Sequence, residues 1–179
     1  LARLCRDYQS AGVGSFQEFR GTLDYGEAAV VTNSKVVHAN KVYLEDLDIS
    51  VKDGTNAPIV GDRLSAELFD DSAWQQAFKD RFVVVSDDLF SYLTETCTEV
   101  MARIKLQDET KTVQKGGLWY EEATPIETIF SSVVIANPMK QTAEALFQLV
   151  AHKLDKPLQI GGNASVGRGL VKLTLKGGN

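Results

Sequence analysis

Leu158-Gln159-Ile160-Gly161-Gly162-Asn163-Ala164-Ser165-Val166-Gly167-Arg168-Gly169-Leu170-Val171 is the stretch on which the reading of this chain turns. Four glycines fall within nine residues, between a short apolar run and the near-alternating Leu170-Val171-Lys172-Leu173-Thr174-Leu175. The spacing predicts two strands joined by a Gly-rich turn. Glycine has no Cβ, so its backbone reaches positive φ and lets another backbone come close. Such a turn, with Arg168 at its tip, suits a phosphodiester chain gripped through amide N–H groups and one guanidinium. It also suits a plain turn of a β-ribbon that binds nothing. Gly162 and Gly167 stand at the spacing of a nucleoside-triphosphate loop, but Arg168 replaces the lysine of that motif and Gly169 the Ser or Thr. A strand pattern follows, so no helix N-terminus is offered to a nucleotide. Nucleotide hydrolysis is excluded as the use of this loop.

Working outward, 179 residues with 44% hydrophobic and 24% charged side chains allow one domain with a real core, over 1–179. No apolar run reaches membrane-spanning length. Cys5 and Cys97 have no metal-ligand or CxxC spacing, which fits a reduced, cytoplasmic setting. His38 and His152 form no ligand pair. The net charge of −5 argues against a free-standing binder of bulk nucleic acid. Its distribution is uneven. Residues 151–179 hold five Lys/Arg and one acid, whereas residues 1–150 hold fourteen Lys/Arg and twenty-three acids. The basic part is the part with the Gly-rich stretch.

Along the chain, Leu1 to Tyr8 reads as helix, broken at Gly12 and Gly14. Strands are expected at Ala28–Thr32, at Lys41–Ile49 and at Arg81–Val85, the last with Val83-Val84-Val85. Gly61 to Lys79 is helical, and Asp70-Asp71-Ser72 can divide it with a fresh N-cap. Ser86 caps a further helix whose first turn holds Asp87 and Asp88, where the helix dipole favours acids. Residues 98–124 read as a long β-hairpin with a polar tip, of which 104–120 extend away from the core. Ile126 to Ala136 reads as a central strand, and Met139 to Leu154 as a helix with Ala143, Leu146, Phe147, Val150 and Leu154 on its core face. The class is α+β. Strand, helix, strand, Gly-rich turn and strand over 126–175 make half of a ferredoxin-like, RRM-like domain.

Two motifs together, Ile160-Gly161-Gly162-Asn163-Ala164-Ser165-Val166-Gly167-Arg168-Gly169-Leu170-Val171 and Gly116-Gly117-Leu118-Trp119-Tyr120-Glu121-Glu122, resemble the RAMP superfamily. Within it, the chain resembles the repeated backbone subunits of type III-B CRISPR (Cmr) RNA-targeting complexes. The likeness covers essentially the whole chain. It implies a RAMP-type α+β domain in which the 104–120 hairpin is the thumb that reaches along the guide–target duplex. It also implies a ribonucleoprotein in antiviral defence, with guide CRISPR RNA, target RNA, copies of itself and other Cmr subunits as partners, and no membrane. Family members carry a further N-terminal portion with an acidic loop implicated in RNA cleavage. Here the chain opens at Leu1 without a methionine, so a missing N-terminal part is expected.

The resemblance gives residues two sets of roles. Gly161, Gly162, Gly167, Arg168 and Gly169 would contact the sugar-phosphate backbone of RNA. Such contacts read no bases and suit a subunit that accepts any guide sequence. Glu121 would stand near the scissile phosphate of an endoribonuclease that uses a divalent metal, magnesium or manganese. Its work would be metal-water binding or general base catalysis. Read without the family, Glu121 and Glu122 are solvated acids at a strand end. Trp119 and Tyr120 would either stack on bases or anchor the hairpin to the core, with anchoring preferred for Trp119. The family's N-terminal aspartate has no match in this chain, so the chain alone is expected to be inactive. The competing function is an α+β metabolic enzyme, or a structural domain, whose Gly-rich loop holds a phosphate or merely turns the chain. No Ser/His/Asp or Cys/His set is evident to serve such an enzyme.

Overall fold

A computed structural model describes residues 1–14, 16–154 and 156–177. These residues fall into two compact units, 19–130 and 1–18 with 131–179. The class is α+β, as expected.

The larger unit is built on a five-stranded sheet. Its strands are β1 (Glu27–Val30), β2 (Val37–His38), β3 (Lys41–Leu44), β4 (Leu47–Val51) and β5 (Val83–Val85). Their order across the sheet is β2-β3-β4-β1-β5, with β1 parallel to β4 and antiparallel to β5. The run Lys41–Ile49 is therefore two strands instead of one. Leu44 pairs with Leu47 across a two-residue turn, in which Glu45 takes a φ of +54°. Alternation alone could not show that break, because Val42 and Ile49 both point inward and face each other across the hairpin. The preceding turn, Ala39-Asn40, has positive φ at both positions, the geometry that matches strand twist in tight hairpins.

Ala28, Val42, Ile49 and Leu89 form the buried centre. Leu89 comes from α4 (Asp87–Thr96), which starts as expected: the Ser86 hydroxyl accepts the Leu89 N–H at 3.3 Å. The expected 61–79 helix is two helices, α2 (Ala57–Leu68) and α3 (Ser72–Lys79). Asp71 makes the division, its carboxylate accepting from Ala73 and Trp74 N–H at 2.8 and 3.1 Å. Gly61 sits inside α2 because a Cβ there would meet the Phe82 ring at 3.0 Å. Asp80, just after α3, accepts from Lys35 Nζ at 2.5 Å and from Gln76 Nε2 at 2.6 Å. Its carbonyl takes the Lys35 N–H and the Ser34 hydroxyl. These bonds tie the end of α3 to the turn after β1.

The hairpin stands as its own two-stranded sheet, β6 (Glu99–Leu106) with β7 (Val113–Ala123). Its span agrees with the hairpin expected over 98–124 to within a residue at each end. After it comes a correction. Ile126–Ala136 is not a strand. Pro125 opens a turn in which Thr128 bonds back to the Pro125 carbonyl and Glu127 takes a φ of +64°. β-branched residues favour strands only where a neighbouring strand takes up their backbone groups, and among the described residues none pairs with this segment.

The smaller unit holds α1 (Ala2–Ser10), α5 (Ala143–Lys153) and a short ribbon, β8 (Leu158–Gln159) with β9 (Leu170–Val171). Cys5 and Phe16 are its buried apolar side chains among the described residues, and Phe16 packs on Tyr8 with ring centroids 5.4 Å apart. Helix α5 starts four residues later than Met139, where the Thr142 hydroxyl caps the Ala145 N–H at 3.3 Å. Its expected face holds in part. Ala143, Leu146, Phe147 and Leu154 are half-buried, whereas Val150 is exposed.

Candidate nucleic-acid interface

The Gly-rich stretch forms a closed loop on a β-ribbon. Leu158 pairs with Val171 and Gln159 with Leu170. One step further in, the Ile160 N–H donates to the Gly169 carbonyl at 2.8 Å, and the Gln159 side chain donates across the neck to the Arg168 carbonyl at 2.7 Å. The tip is a single 3₁₀ turn, Ala164–Val166. Asn163, at a φ of +62°, begins it, and Gly167, at +79°, ends it. Both are left-handed, a conformation Asn and Gly adopt most readily.

The glycines do different work. A Cβ on Gly169 would lie inside van der Waals distance of the Ile160 carbonyl oxygen and Gln159 Nε2, so the neck closes only on glycine there. Gly161 and Gly167 are set by positive φ with open space around them. Gly162 has neither requirement: its φ is ordinary and nothing lies within 4 Å of where its Cβ would be. The amides divide in the same way. Those of Gly167 and Arg168 donate inward, to the carbonyls of Ala164 and Asn163 at 3.1 and 3.2 Å. No described residue accepts from the Gly161 or Gly162 amide. The amides of Gly161 and Gly162 are thus among those open to an anion, whereas those of Gly167 and Arg168 are taken up inside the loop. Asn163 escaped the reading of the sequence. Its signal was there, since Asn next to Gly-Gly is a common left-handed turn residue.

On the hairpin, strand alternation sorts the remaining candidates onto two faces. Arg103 pairs with Trp119, Met101 with Glu121, Ala102 with Tyr120 and Ile104 with Leu118. Tyr120, 70% exposed, shares a face with Val100, Ala102, Ile104 and Leu118. Glu121 lies on the opposite face with Arg103 and Trp119. Arg103 Nε donates to Glu121 Oε2 at 3.0 Å, and Trp119 Nε1 donates to Glu121 Oε1 at 3.1 Å. The expected catalytic acid is therefore the acceptor at the centre of a three-residue cluster. Trp119 is 43% exposed and holds Glu121 through its indole N–H, so its anchoring contact is polar. Glu122, on the Tyr120 side, accepts the Thr98 hydroxyl at 2.5 Å. Arg103 was not singled out from sequence, because only the register of the hairpin places it across from Trp119. Among the described residues no three of His, Cys, Asp or Glu converge to hold a metal.

A family model described as the RAMP superfamily matches residues 23–172, a span that takes in both the hairpin and the ribbon. The chain is 37% identical to the CRISPR system Cmr endoribonuclease Cmr4 of Pyrococcus furiosus, over 98% of this chain and 59% of that protein. It is 32% identical to the CRISPR system CMR subunit Cmr4 of Saccharolobus solfataricus, over 51% of this chain and 29% of that protein. Among solved structures, oligomeric Cmr4 from Pyrococcus furiosus superposes with a TM-score of 0.64 at 26% identity, covering 96% of this chain and 60% of that one. A second crystal structure of Cmr4 gives a TM-score of 0.58 at 26% identity, over 99% and 62%. The chain thus spans about three fifths of the Pyrococcus relative's length.

Proposed function

The chain belongs to the RAMP superfamily, and from that premise we propose that it is the guide-RNA-binding backbone subunit of a type III-B CRISPR effector complex. The observation that carries this reading is the 37% identity to a Cmr endoribonuclease over 98% of the chain. As part of the full-length protein it positions complementary target RNA for cleavage in cytoplasmic antiviral defence. Its partners are guide RNA, target RNA, further copies of itself and other Cmr subunits. The strand that a ferredoxin-like C-terminal half needs before α5 is not formed over 126–136.

The open amides and missing side chains of Gly161 and Gly162 support contact with the guide's sugar-phosphate backbone. A phosphate oxygen accepts from backbone N–H groups whatever the base. Gly167 and Gly169 serve the same site by bending the loop and closing its neck. Arg168 stands at the neck, not at the tip as expected, half-buried and bonded through its carbonyl to Gln159, and adds a charge there. The local excess of Lys/Arg over acids in residues 151–179 points the same way. The hairpin is the thumb. Tyr120 and its apolar neighbours present a face on which an unstacked base can lie, and Glu121 serves cleavage at the target phosphate. A divalent metal, where bound, would supply charge neutralisation at that phosphate. Its ligands are not assembled from the described residues, so none of the steps above runs through it.

The test is binding and cleavage by the full-length protein. Expressed with its guide, it should copurify with RNA and give the absorbance ratio of a nucleoprotein. With magnesium or manganese it should cut a complementary RNA under single-turnover conditions. A clean protein spectrum, with no binding to guide RNA at low salt, would sink the reading and return the loop to a structural turn.

A further inference from the structure

We infer that Arg103 is the hairpin residue that meets a phosphodiester of the target RNA, and that Glu121 and Trp119 act by holding its guanidinium in place. This rests on the RNA-subunit reading and reassigns the roles within its hairpin site. The Glu121 carboxylate accepts from Trp119 on one oxygen and from Arg103 on the other. Each oxygen therefore already accepts one donor of fixed geometry, and Trp119 and Arg103 set the orientation of the carboxylate. A bare carboxylate would repel the phosphate it is meant to serve.

Arg103 has the opposite properties. Arginine carries five N–H donors, and one carboxylate engages at most two of them. Glu121 is the carboxylate paired with Arg103 among the described residues, and it takes the Nε edge. At least three N–H donors are left over, on a side chain 29% exposed. They lie on the Nη nitrogens, in the planar fork that matches two phosphate oxygens. Trp119 sits directly across the strands from Arg103, and its half-exposed indole bonds the same carboxylate that holds the guanidinium. A nucleotide can place its phosphate on the fork and its base or sugar against the ring. The chain of contacts runs from Trp119 through Glu121 to Arg103 and then to the phosphate. In this arrangement Arg103 binds the substrate, and Glu121 and Trp119 are positioning residues.

The experiment uses the full-length protein on guide RNA. Target-RNA affinity as a function of salt and the single-turnover cleavage rate are measured for Arg103→Ala, Arg103→Lys, Glu121→Ala and Glu121→Gln. Arg103→Ala should weaken target binding about tenfold and reduce the salt slope by about one phosphate's worth. Arg103→Lys keeps the charge but not the fork, and should recover the slope and only part of the rate. Glu121→Ala should approach Arg103→Ala in both measures. Glu121→Gln keeps an acceptor oxygen for Arg103 Nε–H and should stay within about fivefold of wild type in rate. Amide exchange at Ala102 and Tyr120 reports whether each variant keeps the hairpin. Two results overturn the inference while leaving the RNA-subunit reading intact. One is unchanged target affinity and slope in Arg103→Ala with the hairpin preserved. The other is a Glu121→Gln rate as low as that of Glu121→Ala at wild-type affinity, which would make Glu121 the proton acceptor. Wild-type protein that binds no guide RNA overturns both.

Discussion

The Gly-rich ribbon and the hairpin are both two-stranded antiparallel pieces, yet they are specified in opposite ways. The ribbon is specified by what its residues lack. Its loop closes because Gly169 has no Cβ, bends because Gly161, Asn163 and Gly167 reach positive φ, and stays open at Gly162. The hairpin is specified by side chains. Its chemistry comes from which residues alternation puts on the same face: Arg103, Trp119 and Glu121 on one, Tyr120 and the apolar set on the other. A backbone-defined site tolerates substitution only where no conformational demand exists. A side-chain-defined site should lose contacts one at a time.

The largest effect that sharpens this contrast is expected at Gly169. Gly169→Val places a side chain against the Ile160 carbonyl in a left-handed conformation. It should destabilise the ribbon by about 3 kcal/mol, seen as faster amide exchange at Ile160, with guide binding lost together with the loop. Wild-type exchange in the variant would break the steric account. Gly162→Ala is the counterpart. With ordinary φ and open space it should leave ribbon exchange unchanged, yet lower guide affinity about tenfold, because the added methyl meets the RNA backbone. Unchanged affinity would remove Gly162 from the interface. Arg168→Ala should be milder, lowering the magnitude of the salt slope for guide binding by about one, with little dependence on guide sequence.

On the hairpin, a double-mutant cycle of Arg103→Ala and Glu121→Ala, read as thermal stability, should give a coupling of only about 0.5 kcal/mol, because the pair is partly solvated. A coupling several times larger would make the pair a structural clasp first. The smallest test touches neither piece. Hydrogen bonds from Lys35, then from Gln76, hold the Asp80 carboxyl below its ordinary range. A depressed folded-state pKa stabilises the fold above the ordinary aspartate value, and that stability is lost as pH falls through the lowered one. Asp80→Asn should flatten the acid limb of the stability profile without altering RNA binding at neutral pH. If it changed RNA binding, the separation between core and interface would fail.

Much of the fold was legible. Capping chemistry located the break at Asp71 and the start of α4 at Ser86, because a side-chain oxygen next to unpaired helix N–H groups is a local event. The ribbon was legible because glycine spacing is local too. The strand expected over Ile126–Ala136 failed, since a strand exists only with a partner and the partner is not written in the segment itself. Within the candidate site, Glu121 and Tyr120 were read as neighbours in one motif. Adjacent residues on a strand point to opposite sides of the sheet, so the structure separates them.

What the sequence determined by itself was therefore the family, the α+β class, the starts of α3 and α4 and the place of the Gly-rich turn. Each of these depends on residue types within a few positions of one another. The tertiary structure alone decided three things: that the Gly167 and Arg168 amides turn inward while the Gly161-Gly162 edge stays open, that Arg103 lies across from Trp119, and that Glu121 is an acceptor bridging the two. The physical reason is common to all three. Hydrogen-bond direction and cross-strand register depend on where distant segments meet, and no local pattern of residues records that.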